Sequence, residues 1–169
     1  MRILGLDLSL TSPGLAVIED GNLVFADTIK VPAKLREAAR LVHIEKAVVL
    51  ALIEPYKADM AAIEGYSFGA KNAREALGEL GGVVRRSLYL LGVPYVVIPP
   101  TTWRKTLTGR GNLKKDMVGA ALTKKYRTLI GEYDFPTLDA LEAWAVAYAA
   151  WLGHAPEDEK TRQQRIGGS

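Results

Sequence analysis

The sequence predicts an α/β domain on a mixed five-stranded sheet, three antiparallel strands then two parallel ones, with helices on both faces. Three observations point there. The first 29 residues hold three apolar runs joined by connections so short that neighbouring strands must run antiparallel. Two later apolar runs, Met60–Glu64 and Val93–Ile98, each follow a long segment of helical period. A length of 169 residues, with 49% hydrophobic and 24% charged side chains, suits one soluble domain with its own core and excludes a disordered chain.

Residues 2–10 alternate and then turn polar, which gives a buried strand ending near Ser9. Ser12-Pro13-Gly14 is a turn. Leu15–Ile18 and Leu23–Ile29 are the next two strands, joined by the hairpin turn Glu19-Asp20-Gly21-Asn22. Ala33 to Tyr56 has helical period, with Leu35, Ala38, Ala39, Val42, Ala47, Val48, Leu50 and Ala51 as its apolar stripe. Met60–Glu64 is a short buried strand, Asn72–Leu91 a second helix, and Val93–Ile98 a fifth strand stopped by Pro99-Pro100. A short helix spans Thr101–Leu107, and Gly109-Arg110-Gly111-Asn112 is a loop. Leu113–Leu129 and Pro136–Trp151 are the closing helices. The order is β-β-β-α-β-α-β-α-α-α. Residues 1–153 make the domain, and the polar stretch 154–169 is expected to be a disordered tail.

Composition removes several chemistries. Without cysteine there is no disulfide, no thiolate zinc site and no cysteine nucleophile. His43 and His154 are the only histidines, too few for a histidine-rich metal centre, and a serine–histidine triad has little to build on. The opening run Met1–Asp7 is too short for a secretory signal and carries a carboxylate, and no apolar stretch of about 20 residues is present to span a membrane. A cytosolic protein with no membrane partner is the expectation. The net charge of +3 and pI of about 9.1 permit a polyanionic partner without requiring one.

The acids carry the chemistry. Asp7 stands inside the apolar run Ile3–Leu8, where a charge is costly unless paired, solvated or bound to metal. Glu64 ends the strand after Ile63 in the same way. Asp139 and Glu142 are three apart and share one helix face. The apolar remainder of that helix must pack on the sheet and would carry both towards the strand ends. Four carboxylates in one cleft repel unless cations neutralise them, and hard divalent ions with oxygen ligands, Mg²⁺ above all, do so. Each acid also has a plainer reading: a solvated strand end for Asp7 or Glu64, service to the helix N-terminus for Asp139, and a surface position for Glu142.

Between Thr101 and Arg127 eight basic residues (Arg104, Lys105, Arg110, Lys114, Lys115, Lys124, Lys125 and Arg127) face one acid, Asp116. That segment is +7 in a chain of +3, so the remainder is −4. Charge segregated in this way suits the phosphates of a nucleic acid, while a solvated helix face is the plainer account of the last three. Phe68, next to glycine and close after Glu64, could stack on bases or be an ordinary core aromatic, and Tyr66 carries the same ambiguity.

Taken together, these residues resemble the RuvC family of Holliday junction resolvases, in the RNase H-like superfamily. The resemblance is carried by Ile3–Ser9 with Gly14, by Ile63-Glu64 with Phe68–Asn72, by Gly78–Gly82, by Pro99 and the basic loop to Lys115, and by Asp139–Ala147. It implies an RNase H-like fold and a structure-selective endonuclease acting on four-way and other branched DNA. Asp7, Glu64, Asp139 and Glu142 would be the catalytic acids, holding two Mg²⁺ ions, with Mn²⁺ able to substitute. Phe68, Lys71, Arg104, Lys105, Arg110, Lys114 and Lys115 would contact DNA. The family works as a homodimer that nicks opposite strands symmetrically, leaving 5′-phosphate and 3′-hydroxyl ends, and the helix Asn72–Leu91 would lie at the dimer interface. The last acid, Glu142, stands where many bacterial members carry aspartate, and the loop Gly109–Lys115 also departs from typical bacterial forms. Those departures look more like the compact resolvases of bacteriophages, for which the location would be the host cytoplasm.

Other functions compete. Asp7–Thr11 with Gly14 resembles the first phosphate loop of sugar-kinase and actin-like ATPases, but those folds need two copies of such a domain. A nuclease of the same superfamily acting on RNA or on RNA–DNA hybrids shares the sheet. A non-catalytic junction-binding protein is a third reading, although a phosphate binder gains nothing from four clustered acids.

Overall fold

The computed structural model describes residues 1–53, 56–66, 74–131 and 133–154. The strands are β1 (Arg2–Asp7), β2 (Gly14–Glu19), β3 (Asn22–Thr28), β4 (Met60–Glu64) and β5 (Tyr95–Ile98). The helices are α1 (Glu37–Ile53), α2 (Arg74–Leu90), α3 (Pro100–Thr108), α4 (Lys115–Lys125), α5 (Arg127–Ile130) and α6 (Leu138–His154). The sheet order is β3-β2-β1-β4-β5, antiparallel across β3-β2-β1 and parallel across β1-β4-β5. This is the predicted mixed sheet. The β2–β3 hairpin closes through Asp20 and Gly21, both at positive φ (48° and 84°), as a two-residue turn between twisted strands requires.

Strand alternation sorts the core into two layers. Ile3, Ala16, Ile18, Met60 and Ala62 face α3–α6, where Trp103, Leu107, Leu122, Trp144 and Tyr148 complete a buried cluster. Leu4, Leu6, Leu15, Val17, Ala61 and Ile63 face the other way, towards Ile44 and Val48 of α1 and Leu80, Val84 and Leu88 of α2. Helices therefore cover both faces.

Several expectations need correction. The helix expected over Leu113–Leu129 is two, α4 and α5, parted at Tyr126 (φ −109°). Tyr126 is buried there, with its hydroxyl donating to the Leu107 carbonyl (2.9 Å) and its ring edge-on to Trp144 and Tyr148. The described residues thus hold one helix more than predicted. α1 begins at Glu37, whose φ of 43° breaks helical geometry before it, rather than at Ala33. Its inward face is Ile44 and Val48 with Leu41, Ala47 and Ala51 alongside, while Val42 and Leu50, placed in the stripe, are 42% and 66% exposed. β1 stops at Asp7 because the chain then turns, with Ser9 Oγ accepting the Ser12 N–H (2.9 Å). Of the glycines expected to permit close approach in α2, Gly81 does so: a Cβ there would fall 1.6 Å from the Tyr66 hydroxyl. Gly78 and Gly82 meet no neighbour within 4 Å among the described residues. α6 ends at His154, the first residue of the expected tail, and residues 155–169 lie outside the described residues.

Candidate active site

Asp7 follows Ile3 and Gly5 in the β1 alternation, so its side chain goes to the α6 face. Its antiparallel partner is Gly14. On the parallel side Leu6 pairs with Ile63, so Glu64, one residue on, stands beside Asp7. Two acids far apart in sequence are neighbours because both end strands in register.

The other two arrive with α6. A Cβ at Gly14 would lie 2.0 Å from the Asp139 carbonyl oxygen, and one at Gly5 2.0 Å from that of Ala143. The helix backbone therefore rests on the sheet through two residues without side chains. The start of α6 is pinned by Thr137, whose Oγ1 accepts the Ala140 N–H (3.1 Å) and shares a 2.6 Å hydrogen bond with Thr28 Oγ1 of β3. Asp139 and Glu142 occupy the first turns, over the strand ends.

Carboxylate oxygens of Asp7, Asp139 and Glu142 all lie within 4.8 Å of one another. Glu64 stands beside Asp7 and acts on its carboxyl, and its Oε1 accepts the indole N–H of Trp103 (2.8 Å). Burial, then the Glu64 carboxylate, push the Asp7 pKa up to about 9. Glu142 is only 1% exposed. Its pKa is also raised, first by burial, with the Lys115 hydrogen bond opposing. Two cations close the site. Lys115 Nζ lies 2.8 Å from Asp139 Oδ1 and 2.7 Å from Glu142 Oε2, and Arg104 Nη2 lies 3.1 Å from Glu142 Oε1. Partial burial works against the Lys115 ammonium, but its hydrogen bonds to Asp139 and Glu142 outweigh this and hold its pKa above the ordinary lysine value. Ser12 Oγ donates to Asp139 Oδ2 (3.0 Å).

Asp7, Asp139 and Glu142 therefore meet as one group, with Glu64 beside Asp7 but outside that group. Of the predicted DNA-contacting residues, Arg104 and Lys115 turn inward onto the acids. Lys105, Arg110 and Lys114 are exposed and form no ion pair among the described residues. Phe68 and Lys71 lie outside the described residues. From the tail of the basic segment, Lys125 donates to the Leu107 carbonyl (2.8 Å). Trp103 and Ser12 were not foreseen. Ser12 was legible only as part of a turn, and Trp103 only as an apolar residue before Arg104.

The donor set is wholly hard oxygen, buried and under-neutralised, which fits a divalent cation of the Mg²⁺ or Mn²⁺ type. The histidines serve elsewhere: His43 Nε2 pairs with the Lys30 carbonyl (3.0 Å) and His154 Nδ1 with that of Ala150 (2.8 Å). The helical rise puts His154 about 22 Å along α6 from Asp139. Asp7, Asp139 and Glu142 can hold a metal ion. Among the described residues no helix is long and apolar enough to cross a membrane.

Comparison with known proteins agrees. The family model for crossover junction endodeoxyribonuclease RuvC matches residues 3–150. The RuvC of Synechococcus sp. (strain WH7803) is 33% identical over 156 residues, covering 90% of this chain and 99% of that protein. The RuvC of Rhodococcus opacus is 31% identical, over 83% of this chain and 77% of that protein. Among solved structures, Thermus thermophilus RuvC in complex with a Holliday junction substrate superposes with a TM-score of 0.75 at 21% identity, over 90% of this chain and 96% of that one. From its sequence matches and the fold they share, the chain belongs to the RuvC family and is a crossover junction endodeoxyribonuclease, a nuclease of the Holliday junction-resolving class.

Proposed function

We propose that the chain resolves four-way junctions by Mg²⁺-dependent hydrolysis at two ions held by Asp7, Glu64, Asp139 and Glu142, with Mn²⁺ able to substitute. The observation that carries this reading is the meeting of Asp7 of β1 with Asp139 and Glu142 of α6 within 4.8 Å, with Glu64 of β4 acting on Asp7 beside them. When bound, such ions supply an activated water and stabilisation of the departing 3′-oxygen. The chain does the rest. Asp7 would be shared by the ions, being grouped with Asp139 and Glu142 and beside Glu64. Lys115 and Arg104 neutralise Asp139 and Glu142 within the chain, and the Lys115 ammonium would be available to a DNA phosphate if a metal ion took over that neutralisation. Lys105, Arg110 and Lys114 line the approach with positive charge and displace counterions from the DNA backbone. Phe68 and Lys71 complete the DNA contact.

The products are paired, symmetric nicks with 5′-phosphate and 3′-hydroxyl ends, made in the cytoplasm by a homodimer. The end of α2 supports the dimer: Tyr89 and Leu90 there are 81% and 63% exposed, apolar surface that a second copy would cover. The test is a labelled four-way junction beside linear duplex and an RNA–DNA hybrid, each with Mg²⁺ and with chelator. Expected is Mg²⁺-dependent cleavage of the junction alone, at symmetric positions that a ligase reseals. Equal cutting of linear duplex, preference for the hybrid, or binding without cleavage overturns the reading. Sedimentation showing a strict monomer removes paired nicking.

A further inference from the structure

We infer that Trp103 is a positioning residue for the metal site, its indole N–H fixing the carboxylate of Glu64. The inference rests on the reading of Glu64 as a metal ligand. Glu64 is the last residue of β4 and pairs with Ile98, the last of β5. The chain then reverses at Pro99-Pro100 into α3, and the first turn of α3 returns Trp103 over Glu64. The indole is fully buried and its Nε1 lies 2.8 Å from Glu64 Oε1.

Burial alone does not force this pairing. Trp144 is equally buried and its Nε1 has no hydrogen-bond partner among the described residues. The fold therefore tolerates an unpartnered indole, and the Trp103 bond answers a need of Glu64. A glutamate at a strand end has three free torsions, and one donor of fixed direction removes most of that freedom. The indole is also neutral. It orients Glu64 without cancelling its charge, whereas Glu142 is held by two cations, Lys115 and Arg104. Arg104 is the next residue along α3, with its guanidinium 5.1 Å from the Trp103 ring. Two consecutive residues of one helix thus hold Glu64 and Glu142, both acting on Asp7, and the neutral one leaves the Glu64 charge uncancelled. Outer partners of metal ligands tune affinity in this way.

The test compares wild type, Trp103→Phe, Glu64→Gln and the double variant by Mn²⁺ titration calorimetry, with junction cleavage followed against Mg²⁺ concentration. Trp103→Phe keeps a ring and deletes the donor. Expected are Mn²⁺ binding weaker by about 10-fold or more, cleavage that recovers at saturating Mg²⁺, and a double variant no weaker than Glu64→Gln. In the ¹⁵N spectrum of wild type, the Trp103 indole resonance should move on Glu64→Gln and on Mg²⁺ addition, while that of Trp151 stays. Should Trp103→Phe fail to fold, that spectrum decides. An unmoved Trp103 resonance, or Trp103→Phe with wild-type Mn²⁺ affinity beside a weakened Glu64→Gln, overturns the inference. Full Mn²⁺ affinity in Glu64→Gln overturns the reading of Glu64 as a ligand, and this inference with it.

Discussion

Gly14→Ala should disable the nuclease by moving a helix rather than by touching a carboxylate. The added Cβ would sit 2.0 Å from the Asp139 carbonyl oxygen, 2.3 Å from its carbon and 2.7 Å from the Ala140 nitrogen, all backbone atoms of α6 that cannot rotate aside. Reaching even 3.0 Å from that oxygen requires α6 to lift by 1.0 Å, and an ordinary contact at 3.4 Å requires 1.4 Å. The helix also rests on Gly5 near Ala143, so it tilts about that point and its first turn moves most. Asp139 and Glu142 ride on that turn, while Asp7, paired to Gly14 across the sheet, stays behind. Metal ligands tolerate about 0.2 Å, and a 1 Å misplacement costs about 10²-fold in rate. Overpacking of this kind destabilises by roughly 1–3 kcal/mol, within the roughly 5–15 kcal/mol of a typical domain, so the variant should stay folded. Single-turnover cleavage of a four-way junction, Mn²⁺ titration and thermal melting measure the three effects. Gly153→Ala, at the far end of the same helix, where a Cβ meets no other element among the described residues, is the control and should stabilise slightly. A folded Gly14→Ala with wild-type rate and Mn²⁺ affinity would refute the argument that backbone contact of α6 with the sheet sets the ligand spacing.

Further outcomes follow from the charges. Asp7→Asn should abolish cleavage and keep junction binding, read by gel shift beside a cleavage assay; residual full activity removes Asp7 from the reaction. The Asp7 carboxyl, pushed up to about 9 by burial and by Glu64, holds a proton in the metal-free native state that the unfolded chain releases near pH 4. Metal-free stability should therefore fall as pH rises from about 4 to 9. Divalent binding must expel that proton, so affinity should climb with pH between 6 and 8, by at most about tenfold per unit for one proton. Calorimetry in buffers of different ionisation enthalpy counts the proton, and a count of zero defeats the assignment. Lys115→Ala should melt lower than wild type in chelator, because Asp139 and Glu142 lose a shared cation, and the gap should close in Mn²⁺. The same variant should lower the salt dependence of junction binding by a slope of about one.

The acids of the cluster are satisfied differently, and this bears on how a cation would be held. Asp139 and Glu142 are satisfied within the chain by Lys115, Arg104 and Ser12. Asp7 carries no ion pair among the described residues, and Glu64 accepts from a neutral indole. A divalent ion held by Asp7, Asp139 and Glu142 would meet Lys115, which pairs with two of them and acts on the third. It would compete with an ammonium whose pairing the fold strongly favours. Lys115 thus serves as the chain's own counterion to these acids.

Much of this was legible because it follows from period and ends. Alternation along Ile3–Asp7 and Met60–Glu64 tells which face each side chain takes, and an acid at the end of each strand follows from the residue list alone. The apolar run after Glu142 forces α6 onto the sheet, which brings Asp139 and Glu142 along. The DNA-contacting role expected of Lys115 and Arg104 rests on the charge of their segment and on the family resemblance, neither of which gives a direction. Their ion pairs with Asp139 and Glu142 depend on how α3 and α4 turn after Pro99 and Gly109, and no linear pattern encodes that. The break at Tyr126 was hidden for a related reason: helical propensity across Leu113–Leu129 is unremarked by any proline, and a tertiary contact, the Tyr126 hydroxyl on the Leu107 carbonyl, overrides it. Trp103 is the sharpest case. As an apolar residue in a short helix it matches an ordinary core position, and it is one, being fully buried. Its second use exists only because the β4 and β5 ends are level and the Pro99-Pro100 reversal carries the indole back across them. Residues that do the chemistry betray themselves by being charged where charge is costly, whereas residues that aim them are disguised as packing.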